Sequence, residues 1–444
     1  MHLWRMLLVP AVAMASLALA APVVHAQGGP PQRPFRALFG GDDTSRPARH
    51  ELGLTLSLTA ALDNNAYASL QPAPEAGECE GCVNRSELYT GGALLAYVLR
   101  DRNVTFNATG SASYPYYSLL PDQAETPAWG VNTTLGFTPG RTTVNGYGSY
   151  YFTPFYSALL RPGYIPPGGS FDYATALSPN ELVSGGASAT HRLGRSASAS
   201  AAYNVSDTRF VDEDRANGSQ GVRLSLSGGV SRSVTLGGGY SYSRSRYSDP
   251  VITSRSDSQG IDFSMGYSRQ WSRSRATVVG ASVGWSTVTY IGSTTERWGG
   301  SASVNQVLSP GWSVGGSYGR SLQYLSVTQE PVWSDAVNVT LGGRFGQRVS
   351  VSAGGNYSTG TRVSGGDEGY NSYSANGRVQ VALTSNLAVL ASYIYYRYDY
   401  PQDFGLPAGV PPRLDRQRLQ FGVTFWLPLV HAGRAGGPAG AGSQ

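Results

Sequence analysis

Glu51-Leu52-Gly53-Leu54-Thr55-Leu56-Ser57-Leu58-Thr59-Ala60-Ala61-Leu62-Asp63 decides how the chain is read. Leu52, Leu54, Leu56, Leu58 and Ala60 fall on one parity; Gly53, Thr55, Ser57 and Thr59 fall on the other. Successive side chains of an extended strand point to opposite faces, so period two marks a strand with one apolar and one polar face. The pattern recurs along the chain. Val222, Leu224 and Leu226 alternate with Arg223, Ser225 and Ser227. Ile261, Phe263, Met265 and Tyr267 alternate with Asp262, Ser264, Gly266 and Ser268. Leu419, Phe421, Val423 and Phe425 alternate with Arg418, Gln420, Gly422 and Thr424. We count about 18 such segments, from 51–63 to 414–427, which makes the chain all-β.

Composition agrees. Of 444 residues, 57 are Gly and 28 Tyr, and only 14% are charged. Ordinary soluble domains carry about 25% charge, so a multi-domain soluble protein is a poor fit. Disorder is also excluded, because aromatic and β-branched residues run throughout. The formal charge is +5, carried by 33 Arg and no Lys. These Arg are scattered and form no basic run, so no nucleic-acid partner is expected.

Residues 1–26 have the form of a secretory signal: Arg5, the apolar run Leu7 to Ala21, then Val24 and Ala26 before a cleavage point. Residues 27–50 are rich in Pro and Gly and are expected to be a flexible periplasmic leader. No later stretch approaches the ~18 apolar residues of a membrane helix. Cys79 and Cys82 stand three apart in a chain addressed to an oxidising compartment, and a disulfide staple is expected.

The connections between strands alternate short and long. Arg100 to Arg102, Leu193-Gly194 and Thr384 to Asn386 are short; 64–87, 116–128, 154–180, 207–218, 248–257, 290–295 and 401–413 are long. Aromatic residues cluster where strands meet the long loops, among them Tyr89, Trp129, Tyr240, Trp285, Trp298 and Tyr370. A sparser set, including Phe137, Trp271, Trp312, Phe345 and Trp426, marks the short-turn ends. Tight turns on one side, long loops on the other, an even strand count and two aromatic girdles are the pattern of a transmembrane β-barrel. The expectation is a single antiparallel up-and-down barrel over 51–427, with both termini periplasmic and a disordered tail over 428–444.

The last strand resembles the C-terminal assembly signal of Gram-negative outer-membrane β-barrels. Gln420, Gly422, Phe425 and Leu427 occupy its polar, glycine, hydrophobic and terminal apolar positions. The resemblance implies an outer-membrane location, lipid contact and insertion by the barrel-assembly machinery. In size and strand count the chain also resembles the 18-stranded polysaccharide-export barrels, both the alginate-type exporters and those that pair with a short periplasmic export protein. That likeness is architectural and has no diagnostic motif.

The polar face should line the lumen. It is mostly Ser, Thr, Gly and Asn, with Arg223, Arg297, Arg344, Arg378, Arg416 and Arg418 on the inward parity and Asp262 as the acidic exception. A barrel of this size leaves a channel unless it is plugged, and Arg rings favour anions. Export of a secreted or surface polysaccharide is the preferred expectation, with a periplasmic export protein as partner; a passive diffusion porin preferring anions or sugars is the alternative. No cofactor or metal is expected. An enzyme is not expected either. His50, His191 and His431 are assigned to the leader, a short turn and the tail. The GxSxG strings around Ser282, Ser313 and Ser317 lie in strand patterns, without the strand-to-helix turn of a nucleophile elbow.

Overall fold

A computed structural model describes residues 48–64, 86–117, 127–153, 179–211, 215–248, 253–272, 274–309, 311–324, 331–363, 369–401 and 413–434. The expected signal segment, most of the expected leader, the expected disulfide of Cys79 and Cys82, and nearly all of the expected loop 154–180 lie outside them. The described residues form 18 strands. These are β1 (Ala48–Asp63), β2 (Ser86–Arg100), β3 (Val104–Tyr117), β4 (Ala128–Phe137), β5 (Thr142–Thr153), β6 (Asn180–Arg192), β7 (Ala197–Phe210), β8 (Arg215–Gly229), β9 (Val234–Ser248), β10 (Thr253–Ser272), β11 (Arg275–Tyr290), β12 (Ser293–Ser309), β13 (Trp312–Tyr324), β14 (Pro331–Phe345), β15 (Val349–Arg362), β16 (Gly369–Ala382), β17 (Leu387–Asp399) and β18 (Arg413–Arg434).

Each strand pairs antiparallel with the next, and β1 pairs with β18, so the sheet closes on itself. Closure pairs every strand with two neighbours, which is what a bilayer demands of the spanning wall. Register fixes the faces. Leu58 opposes Gly91 and Val423, and Phe263 opposes Val283 and Gly238. Leu58 is 71% exposed and Phe263 66% exposed on the outside of the wall. Apolar side chains this bare are stable when lipid covers them, at roughly 25 cal/mol per Å² removed from water.

Several strands run further than their hydropathy suggests. β7 continues to Phe210, β8 starts at Arg215 and β10 starts at Thr253, so the expected loops 207–218 and 248–257 are largely strand. The expected loop 290–295 is a two-residue turn in which Ile291 (φ 47°) and Gly292 (φ 76°) are both left-handed. Polar composition near the rim hid this, since these strand ends stand above the apolar band. β18 likewise continues past Leu427 to Arg434, into the segment expected to be a tail. The histidines move with these boundaries: His50 lies in β1, His191 in β6 and His431 in β18. The His50 ring nitrogen bonds the Tyr97 hydroxyl at 2.9 Å, and His191 bonds the Thr142 hydroxyl at 2.9 Å.

The wall is not a simple cylinder at the long-loop end. β12 and β13 pair only from Gly300 opposite Arg320 to Ser309 opposite Trp312. Beyond that point Ser293–Gly299 pairs only with β11, and Ser321–Tyr324 only with β14. Past this split, Val288, Trp333 and Val363 form one buried cluster against which Leu322 packs. Val288 is on the inward parity of β11, whereas Leu322, Trp333 and Val363 are on the outward parity of their strands. Inward and outward residues meet this way only where two layers overlap. The ends of β13 to β15 therefore pass inside the β11–β12 hairpin and narrow the mouth.

Candidate functional site: the lumen wall

The lumen wall has two unlike sectors. From β5 to β12 it is built of small hydroxyl side chains that pair across strands. Ser149–Ser184 (2.5 Å), Ser198–Ser227 (2.9 Å), Ser200–Ser225 (2.6 Å), Ser243–Ser258 (2.7 Å) and Ser282–Ser301 (2.8 Å) share hydrogen bonds. Each such bond leaves each of its hydroxyls two further donor or acceptor sites for a passing solute.

The sector from β14 through β18 to β2 is different. Its inward parity carries Val332, Tyr370, Leu390, Tyr396, Tyr398 and Leu88, all buried. Tyr398 stands 5.9 Å from Tyr396 and 5.0 Å from Tyr400, and Tyr400 is 5.5 Å from Tyr370. Tyr370 also shares a 3.0 Å hydrogen bond with Ser334 and covers Gly360 on the neighbouring strand. Tyr370 was expected in the lipid-facing girdle; it belongs to the inner wall. So does Trp426, which packs on Ala382 and Ala388. The repeated Tyr396-x-Tyr398-x-Tyr400 is a period-two signal visible in the sequence, but aromatic residues near a strand end suggest a girdle until the register is known.

Arg223, Asp262, Arg297, Arg344, Arg378, Arg416 and Arg418 all stand on the inward parity. The structure does not bring them into one ring. Arg223 and Asp262 form an ion pair at 2.6 Å on β8 and β10. Arg416 pairs with Asp63 across the closing strands: its Nε lies 3.0 Å from both carboxylate oxygens and its Nη2 2.5 Å from one. Both side chains of that pair are almost fully buried (4% and 0% exposed). Asp63 is a charged lumen residue that sequence reasoning missed, and Arg362, opposite Val332, is another. Asp63 ends the Leu52–Asp63 alternation on the polar parity, which was the available signal. Arg418 and Gln420 are buried beside the pair, and Ser392 donates to Gln420 at 3.4 Å.

Arg297 lies at the overlap, its guanidinium 6.0 Å from the Trp333 ring centre. Arg344 sits near the short-turn end of β14 and Arg378 in the middle of β16, between Ser352 and Ser392. Neither forms an ion pair with a carboxylate among the described residues. The residues expected to form an assembly signal split between faces: Gln420 and Gly422 stand on the inward parity, Phe425 and Leu427 on the outward. The GxSxG serines Ser282, Ser313 and Ser317 lie within β11 and β13 and bear on the lumen.

No protein-family model and no curated relative matches the chain. Solved barrels are similar to it. OpdQ of Pseudomonas aeruginosa is 10% identical, with 86% of this chain and 98% of that one covered and a TM-score of 0.44. OpdG (OccK9) of the same organism is 12% identical, covering 86% and 98%, with a TM-score of 0.44. OccAB3 of Acinetobacter baumannii is 11% identical, covering 85% and 99%, with a TM-score of 0.43.

These findings correct the preferred expectation. The similar structures named here are Occ and Opd porins, and none of those named is a polysaccharide-export barrel. The inner wall explains where the sequence reading went astray. It took the lumen as mostly Ser, Thr, Gly and Asn, and the sector from β14 through β18 to β2 departs from that character.

Proposed function

We propose that the chain is a passive diffusion channel of the bacterial outer membrane, a porin that favours small anionic solutes, and not an enzyme. Both termini would lie on the periplasmic side with the short turns. The observation that carries this reading is the imbalance of lumen charge. Asp262 neutralises Arg223 and Asp63 neutralises Arg416, while Arg344 and Arg378 keep their charge without a carboxylate among the described residues. Fixed positive charge on a narrow, low-dielectric wall raises the local concentration of anions. The paired serines supply weak, replaceable hydrogen bonds that let a polar solute move on.

Reconstitution into liposomes tests the proposal. Swelling rates should be higher for small carboxylates than for neutral sugars of the same size, and lowest for cationic amino acids. Equal rates for all three classes would leave the lumen charge without a role. Absence of swelling with every solute would contradict a diffusion channel.

A further inference from the structure

Above the apolar band, the outside of the wall at the long-loop end carries charge. Most of it is balanced one to one. Arg209 bonds Asp207 at 2.8 Å, Arg320 lies 4.0 Å from Asp335, and Arg413 bonds Asp399 at 2.7 Å. β9 and β10 break the pattern. Arg244 stands opposite Asp257, and Arg246 opposite Arg255, all on the outward parity. Arg244 (2.8 Å) and Arg255 (2.9 Å) share the single Asp257 carboxylate, to which the Tyr242 hydroxyl also donates at 2.7 Å. Arg246 is exposed and forms no ion pair among the described residues. Among the described residues, three guanidinium groups against one carboxylate leave two positive charges uncompensated. Like charges directly opposite across an antiparallel pair repel, so Arg246 and Arg255 are held together at a cost that an anion between them would offset.

The same register continues down the wall as bare apolar surface. Below the charges comes the row of Tyr242 and Gln259, and below that Tyr240, Ile261, Phe263 and Met265, which are exposed. Cations therefore stand where the head of a lipid would meet its acyl chains.

We infer that Arg246, Arg255 and Arg244 form a binding site for a phosphate-bearing headgroup of an outer-leaflet lipid. The guanidinium forks take the phosphate oxygens in paired, charge-assisted hydrogen bonds. The acyl chains lie on Ile261 and Phe263. Inorganic phosphate offers the same head chemistry, but the exposed apolar strip one row below assigns the site to a lipid. The site is on the outer face, so its occupancy is independent of what the lumen conducts.

The full chain, stripped of lipid in detergent, is incubated with a bisphosphorylated glucosamine lipid (lipid A) or with its dephosphorylated form. Bound lipid is read by native mass spectrometry. The unaltered chain should retain the phosphorylated lipid about tenfold better, the margin of one charge-assisted hydrogen bond. R246Q/R255Q should lose that margin, and R413Q, at a balanced pair, should keep it. Heat-dependent gel mobility verifies that the variants are folded. If R246Q/R255Q fails to fold, the comparison of the two lipids on the unaltered chain decides. Equal retention of the two lipids, full retention by folded R246Q/R255Q, or displacement of bound lipid by millimolar inorganic phosphate would overturn the inference.

Discussion

Arg223 and Asp262 bond at 2.6 Å although their strands, β8 and β10, are not neighbours. β9 runs between them, and the position it places there is Gly239. A Cβ at Gly239 would stand 3.0 Å from the Arg223 Nη2 and 3.1 Å from an Asp262 carboxylate oxygen. The missing side chain is what lets the pair span three strands.

Asp262→Asn should therefore leave Arg223 as an uncompensated lumen cation and raise the anion-to-cation permeability ratio. Gly239→Val should act in the same direction without changing the formal charge, by parting the pair. Reversal potentials in a salt gradient measure both. An unchanged ratio in both variants would place the pair off the conduction path.

Asp63 and Arg416 hold β1 to β18 where the barrel closes, and both are buried. Removing one partner of a buried pair leaves an uncompensated charge, typically at a cost of 3–5 kcal/mol, roughly. Asp63→Asn should lower the urea midpoint of the barrel in lipid vesicles accordingly. The double variant D63L/R416M should recover most of that loss, because well-packed apolar residues can replace such a pair. A midpoint lowered equally in both would contradict the electrostatic account.

Ile291 is a β-branched residue at φ 47°, 71% exposed at the tip of the β11–β12 turn. A left-handed conformation costs an ordinary L-residue roughly 1–2 kcal/mol, and Asn-Gly is the preferred pair for this turn. Ile291→Asn should stabilise the barrel by about 1 kcal/mol. Its conductance should be unchanged, since the residue lies outside the bore.

Gly422 sits against β1, where a Cβ would fall 2.6 Å from the Thr59 methyl and 2.8 Å from the Leu58 carbonyl oxygen. Gly422→Val should cost about 1–3 kcal/mol by overpacking. It should also reduce the yield of the compact, heat-modifiable form on assembly. Phe425→Ala, on the lipid-facing parity, should disturb the β1–β18 contact less.

The fold was legible because alternation is a backbone property. Leu52 to Ala60 states its two faces whatever surrounds it, and the inward parity of Arg223, Arg378 and Arg416 follows from the same count. What could not be read is whatever depends on partners distant in sequence. Asp63 and Arg416 meet only once the first and last strands close. The Arg223–Asp262 bond needs Gly239 in between, and any of many glycines would have served as well on paper. The β12–β13 split that buries Trp333 against Val288 leaves no mark in hydropathy. Tyr370 and Trp426 went to the wrong face because aromatic residues near strand ends suit both a girdle and an inner wall. The export expectation failed for a related reason: size, strand count and a mostly hydroxyl lumen with an Arg bias suit more than one kind of barrel, and none of them is a motif.

The most direct test is the reversal potential of the purified full chain in a planar bilayer under a potassium chloride gradient, with R344Q/R378Q measured alongside. The account predicts an open, anion-selective channel whose selectivity falls in the double variant while its conductance persists. A closed bilayer, a cation-selective channel, or selectivity unchanged in the double variant would contradict it.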